Sequence, residues 1–417
     1  MTTTPRAPLL SLDEALQRLL VAASVPLPVE QAPVGDADGR VLAQDVVSAL
    51  HVPPHDNSAM DGYALRCDDV KSIGTALPVS QRIAAGSAGV PLLAGTAARI
   101  FTGAPVPPGA DAVVMQENCT VLPDGGTAPN TAHIQVTTHP VRGENIRRAG
   151  EDVARGDVVL SCGQRLGPAE LGLAASIGMA ELAVARRPRV ALFSTGDELV
   201  MPGTVAPQDM PPGAIYNSNR YFLSALLRRM GCVVTDMGIV PDQREATVQA
   251  LRDAAQSHDV ILTSGGVSVG EEDHIKPAVQ TLGSLNLWQI AIKPGKPFAY
   301  GRIADTHFMG LPGNPVSSFV TFLVLVRPFL QKLQGMRDVA MKTVAVRSDF
   351  TWARPDKRRE FLRVRRNAEG GLDLFPNQGS GVLTSAVWGD GLVDNPPSQT
   401  IAPGDMVQFV SFAELLT

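Results

Sequence analysis

Glycine-rich turns flanked by carboxylates and lysines carry most of the chemistry that can be read from this sequence. Ser264, Gly265, Gly266, Val267, Ser268, Val269 and Gly270 close the apolar run DVILTS (259–264) and precede a helical pattern. Glycines there let backbone N–H groups approach a phosphate, and the start of the next helix favours an anion, although such a run also serves as a plain tight turn. Acidic residues stand at matching points. Asp197 and Glu198 follow one β-like run, Asp242 follows a second, and Glu271, Glu272 and Asp273 follow the third. Carboxylates beside a phosphate repel it unless a divalent cation bridges them, and Mg²⁺ suits such oxygen ligands. Asp242 is equally a good helix cap, and residues 271–273 equally suit a helix dipole. IKPGKP (292–297) holds Lys293 and Lys296 on either side of a stiff Pro-Gly turn, which fits an oxyanion or a solvated turn. GLPGNP (310–315) fixes a strand-to-helix turn with Pro312 and Pro315 and offers the amides of Gly313 and Asn314.

Three further segments crowd polar groups beside glycines: HDNSAMDGYALR (55–66), RIFTGAPVPPGADAVV (99–114) and RGENIRRAGED (142–152). From residues alone they are functional loops or turns. His51 and His55 have the spacing of a helical metal pair, but Pro53 and Pro54 between them forbid the helix. Cys67, Cys119, Cys162 and Cys232 show no metal-type pairing, so free thiols in a reducing cytosol are expected. No Cys/His pair stands out as nucleophile and base.

The elements that must hold these groups differ along the chain. Between Arg189 and Leu333, β-rich runs (190–195, 232–240, 259–264, 287–292, 298–303, 307–311) alternate with helical patterns. That alternation predicts a doubly wound α/β unit with a parallel sheet covered on both faces. Asn217 to Met230 reads as a helix opened by Asn-Ser-Asn, Asp242 to about His258 as one opened by a D-x-x-E capping box, and Asn314-Pro315 as the start of a long apolar helix to about Leu333. Residues 45 to 150 hold short β-like runs broken by PP, GG and PG turns. Helical pattern returns at 168–179, where the N-terminal helix is expected to pack, and short alternating runs after 338 predict a small β-domain.

The chain has 417 residues, a formal net charge of −5, 44 % hydrophobic and 18 % charged residues. That is globular composition, long enough for several domains. A mildly acidic chain with 5 % aromatics makes a poor general nucleic-acid binder. The N-terminal leucine pattern is interrupted by Asp13, Glu14, Gln17 and Arg18, as in an amphipathic helix and not a signal peptide, and the apolar run Phe319–Val326 is too short to span a bilayer. No membrane association is expected.

DNSAMDGYA, RIFTGAP with PGADAVVMQE, GENIRRAGED, FSTGDEL, SGGVSVGEED, IKPGKP and GLPGNPVSS occur in that order between residues 56 and 318. In them the chain resembles the molybdopterin molybdenumtransferases, relatives of the gephyrin E domain. The resemblance implies insertion of molybdate into adenylylated molybdopterin with release of AMP, while the carboxylates beside the glycine-rich turn predict Mg²⁺ as metal and the unpaired cysteines and interrupted leader pattern predict a cytoplasmic location. It implies a multidomain α/β plus β fold: a three-layer α/β molybdopterin-binding domain (188–336), an inserted β-rich domain (49–149), a discontinuous elongated domain (1–48 and 150–187) and a C-terminal β-barrel-like domain (337–417). It also implies a homodimer whose cleft joins the α/β domain of one subunit to the inserted domain of the other. Implied partners are the molybdopterin adenylyltransferase and downstream molybdenum cofactor proteins. Catalytic positions then fall on Asp61, Thr102, Asp152, Glu198, Asp242, Asp273 and Lys293, with Glu198, Asp242 and Asp273 as metal ligands. Substrate-binding positions fall on Ser264, Gly265, Gly266, Ser268, Lys293, Lys296, Pro312, Gly313, Asn314 and Pro315, with Arg363 and Ser380 from the C-terminal region. Gln289 stands where many relatives carry a basic residue. Two rival readings are molybdopterin adenylylation, which the long flanking domains disfavour, and a non-catalytic scaffold, which the intact acidic set disfavours.

Overall fold

A strand apolar on both faces has both to cover, and in the central unit helices cover them. The computed structural model describes residues 9–122, 132–240, 243–266 and 274–416. Its central sheet has the spatial order 233–240, 189–195, 260–264, 306–311, 297–303, 283–289. Along Arg189–Thr195, Val190 and Leu192 enter one apolar cluster with helices Leu12–Ala22, Asn219–Arg229 and Pro315–Leu333, while Ala191 and Phe193 enter another with Arg244–Ala255 and Ile275–Leu282. The period of two along a strand thus builds a three-layer sandwich.

The sheet is mixed where a parallel one was expected. The first four strands are parallel, and 297–303 and 283–289 are antiparallel additions. Only Ala304 and Asp305 separate Pro297–Ile303 from Thr306–Leu311, too few residues for a parallel crossover. Helix Arg244–Ala255 is preceded by Gln243 at its N-cap, not Asp242, which lies outside the described residues. At Asn219–Arg229 the cap position is Ser218, whose side chain does not bond; Asn217 Oδ1 accepts from Arg220 N at 3.3 Å instead.

The long helix starts as expected, with Asn314 at the N-cap and Pro315 at the first turn, and includes a π segment at Phe322–Val326. By length and composition Pro315–Leu333 could cross a bilayer, contrary to the reading of 319–326 alone. However, 89 % of its apolar window is buried inside the protein, which makes it the central core helix. The N-terminal helix also packs differently from expectation. A capping box closes its start, with Ser11 Oγ accepting from Glu14 N and Ser11 N donating to Glu14 Oε2. Its buried Leu12, Ala15 and Leu19 join the core of the three-layer unit instead of helix Pro168–Ser176.

From Val29 the chain leaves that core. Val29–Pro33 pairs with Glu181–Ala185, and Val46–Val47 with Val158–Leu160, around an apolar cluster built from both halves. Between these halves, strands 62–65, 76–83, 97–100, 112–115, 119–122 and 133–136 form a six-stranded sheet with an apolar cluster on each face. The C-terminal sheet runs 292–293, 359–366, 391–395, 406–411, 344–347, with 372–374 beside 359–366. A bridge from Ser348 to Leu372 brings the far edge back, so this sheet curls toward closure.

One buried histidine gives the core an acid sensitivity. Tyr300 Oη lies 2.9 Å from His307 Nδ1, and the imidazole packs edge-on against Phe329. Burial pushes the His307 pKa from 6.5 down to about 4. As pH falls from about 6.5 to 4, the unfolded chain takes up a proton that the folded one refuses. Stability is therefore lost across that window, by about 3 kcal/mol for this depression, and unaffected above it. His307→Phe is expected to flatten the pH dependence of urea unfolding between pH 7 and 4.5. Equal acid losses in wild type and variant would assign the sensitivity elsewhere.

Candidate functional site

Three of the parallel strands end level with one another, Ser194 beside Ser264 and Ser264 beside Leu311. Ligands of open α/β sheets bind at this carboxyl edge. The loops that leave it enclose a cleft of about 770 Å³. Its walls include Thr195, Gly196 and Glu198 from the first loop, Ser264, Gly265 and Gly266 from the second, and Pro312, Gly313, Asn314 and Pro315 from the third. Eight sequence-predicted site residues therefore meet in one place.

The glycines here have a steric reason. Gly265 and Gly266 have φ of +94° and +67°. A Cβ on Gly265 would stand 2.9 Å from Thr195 O, and one on Gly266 2.8 Å from Ile275 Cγ1. Only glycine gives a positive φ and this close approach without strain. Asn219, which the sequence reading passed over, ties the second and third loops together: its Nδ2 donates to Ser264 Oγ and to Gly313 O, both at 2.7 Å. Its place in the Asn-Ser-Asn run was visible, but only as capping chemistry.

Glu198 is exposed at the cleft, with no cation within 4 Å among the described residues. A carboxylate with no cation partner at this cleft is the hard-oxygen donor that Mg²⁺ takes. The other two expected metal ligands, Asp242 and Asp273, lie outside the described residues, as does Ser268. No cluster of three metal-ligating side chains forms among the described residues.

The lysines of IKPGKP are not equivalent. Lys293 sits on a two-residue strand paired with Arg359–Arg366, opposite Glu360. Its Nζ donates to Glu360 Oε1 at 3.1 Å, lies 3.6 Å from Asp356 Oδ2, and stands 5.8 Å above the Trp352 ring. It does not line the cleft. Lys296 is half-buried, precedes the cleft residue Pro297, and has no carboxylate within 4 Å among the described residues.

Arg363 is 1 % exposed and has no ion-pair partner among the described residues; it donates to Ser385 Oγ, Phe361 O and Gly379 O. Burial pushes its guanidinium down to about 10. It holds the loop whose Ser380 carbonyl accepts from Val316 N at 2.9 Å and whose Gly381 reaches the cleft wall. Arg363 and Ser380 thus dock the C-terminal sheet onto the start of the core helix.

Asp61, Thr102 and Asp152 are exposed, and none lines the cleft of its own chain. Asp61 and Thr102 do meet: Asp61 Oδ1 accepts from Thr102 N at 2.8 Å and from Thr102 Oγ1 at 2.7 Å. Those bonds, the backbone one foremost, hold the Asp61 carboxyl below its ordinary value. Asp152 stands apart on an adjoining turn, its N–H donating to Val52 O.

The central unit is thus a mixed sheet with a cleft at its carboxyl edge, flanked by a β-rich insertion and a C-terminal β-unit. The family described as the MoeA N-terminal region (domain I and II) matches residues 10–178. A probable molybdopterin binding domain matches 191–332, and the MoeA C-terminal region (domain IV) matches 345–412. The molybdopterin molybdenumtransferase of Haemophilus influenzae is 42 % identical over 329 residues, 79 % of each chain. Molybdopterin molybdenumtransferase 2 of Mycobacterium tuberculosis is 38 % identical over 389 residues, 90 % of this chain and 93 % of its own. The solved molybdopterin biosynthesis moeA protein of Pyrococcus horikoshii superimposes with a TM-score of 0.83 at 28 % identity, covering 97 % of this chain and 100 % of that one. The chain belongs to the molybdopterin molybdenumtransferase family.

Proposed function

We propose that this protein is a transferase that inserts molybdate into adenylylated molybdopterin and releases AMP. The observation that carries the reading is the meeting of three loop ends, each bearing a family motif, around one cleft at the carboxyl edge of the sheet. The dithiolene sulfurs belong to the substrate, so the chemistry asks the protein for placement and charge. Gly265 and Gly266 bring backbone close to a phosphate, Asn219 fixes the two loops that flank it, and Lys296 supplies positive charge for the oxyanion. Glu198, Asp242 and Asp273 would hold Mg²⁺, which offsets phosphoryl charge where the adenylate bond is broken. Incubating the purified protein with molybdopterin-AMP, molybdate and Mg²⁺ should release AMP and yield cofactor that reconstitutes an apo-molybdoenzyme. Absence of both products would overturn the reading.

The same reading takes the site to be shared in a homodimer, because Asp61, Thr102 and Asp152 find no place at their own chain's cleft. It divides the chain into four domains, with helix 12–22 riding on the α/β unit, and places the protein in the cytoplasm among the adenylyltransferase and downstream cofactor proteins. Lys296→Ala tests the oxyanion contact. Losing one charged partner typically costs about 1.5–3 kcal/mol, which is roughly ten- to a hundredfold in affinity. The molybdate concentration for half-maximal insertion is expected to rise by that factor at saturating molybdopterin-AMP. An unmoved half-saturation point with a lower maximal rate would take Lys296 away from the anion.

A further inference from the structure

We propose that Arg99 is a positioning residue for the Asp61–Thr102 pair, an inference that rests on the function proposed above. Arg99 lies on strand Ala97–Ile100, three residues before Thr102, and faces Tyr63 across an antiparallel pairing. Its side chain reaches three segments beside the pair, at Gly62–Tyr63, Phe101 and Gln116. Nη1 donates to Gly62 O at 2.9 Å, on the residue next to Asp61. Nη2 donates to Gln116 Oε1 at 2.7 Å, and Gln116 N donates to Asp61 O at 3.0 Å. The guanidinium carbon stands 5.1 Å from the Tyr63 ring and 4.6 Å from the ring of Phe101, which immediately precedes Thr102. One planar cation therefore pins the chain on both sides of the pair.

The way its charge is used matters as much. Arg99 has no carboxylate within 4 Å among the described residues; its donors go to neutral oxygens. A direct ion pair would occupy the carboxylate. Held by neutral acceptors, Arg99 favours the ionised form of Asp61 from a distance, after the Thr102 bonds. That leaves Asp61 Oδ2 without a hydrogen-bond partner among the described residues and free for a ligand. Lysine could keep the charge, but not the fork that spans Gly62 and Gln116 while its cation stays beside two rings. Arg82, the register partner of Arg99 on the neighbouring strand, stands 4.5 Å from the Phe101 ring centroid and makes no hydrogen bond to the Asp61 segment among the described residues, so it serves as a control.

The test is a double-mutant cycle read by AMP release with molybdate and molybdopterin-AMP. Arg99→Lys and Arg99→Gln are each expected to lower kcat about tenfold or more, with the molybdate half-saturation point within about twofold of wild type. Arg82→Ala should leave both parameters near wild type. In an Asp61→Asn background, Arg99→Gln should lower kcat little further, because its effect passes through Asp61. Thermal melts accompany each variant, and Arg99→Lys supplies the readout if Arg99→Gln does not fold. Additive losses in the double variant, or wild-type kcat in Arg99→Lys while Asp61→Asn is inactive, would overturn the inference. An inactive wild-type protein would instead overturn the proposed function. An active Asp61→Asn variant would remove the role of Asp61 and, with it, that of Arg99.

Discussion

Glu360→Ala is expected to lower stability by about 2–4 kcal/mol. The Glu360 side chain is 1 % exposed, and its carboxylate gathers donors from four directions. Oε1 accepts from Lys293 Nζ at 3.1 Å. Oε2 accepts from Trp352 Nε1 at 2.8 Å, from Asp356 N at 3.1 Å and from Asn395 Nδ2 at 3.5 Å. Removing the acceptor strands the buried Asn395 amide and the half-buried Trp352 and Asp356 N–H groups, and that desolvation is what makes the loss large. Lys293 is different, since its side chain is 38 % exposed and water can take over part of its role. Lys293→Met should therefore cost less, about 1–2 kcal/mol, mostly through the carboxylate it leaves behind. Urea unfolding of both variants checks the order. A Glu360→Ala protein within 0.5 kcal/mol of wild type, below the ~1 kcal/mol of an average substitution, would mean the carboxylate is not structural. The functional corollary separates the two lysines. Oxyanion capture by Lys293 must compete with Glu360 and Asp356, so Lys293→Ala should read mainly in stability, and Lys296→Ala mainly in the molybdate titration.

These partners show which parts of the site are local in sequence. The strand ends at Thr195, Ser264 and Leu311 were legible because each closes a β-rich run with glycine or proline, and the sheet edge collects whatever follows such ends. Glu360 was not legible as the partner of Lys293. The two are 67 residues apart, and they meet only because Ile292–Lys293 joins the C-terminal sheet instead of the central one. Asp61 and Thr102, 41 residues apart, were linked by family resemblance and not by pattern. The antiparallel edge could have been read from the short connection at Ala304 and Asp305, since apolar content does not report strand direction. Helix 12–22 carried an apolar face whose partner is distant, so periodicity fixed the helix without fixing its neighbour.

Two inactive variants, Asp61→Ala and Glu198→Ala, are expected to regain activity when they assemble together. Glu198 lines the cleft, whereas Asp61 and its partner Thr102 are exposed on the inserted sheet and line no part of that cleft. If each site takes its cleft from one subunit and its Asp61–Thr102 edge from the other, a mixed dimer carries both lesions at one site and neither at the other. Closed twofold symmetry makes the two interfaces equivalent, so random reassembly of equal amounts gives about half mixed dimers and about a quarter of wild-type sites. Each parent alone has one lesion at every site and stays inactive. A site built within a single chain behaves otherwise, because every chain in the mixture then carries a lesion and no combination restores one. The measurement is AMP release from a co-refolded or co-expressed mixture, with differently tagged subunits purified in tandem to isolate the mixed species. Activity near half that of wild type in the tandem-purified dimer supports the shared site. Mixed dimers that form in good yield and stay inactive would show that Asp61 acts without the neighbouring subunit's cleft.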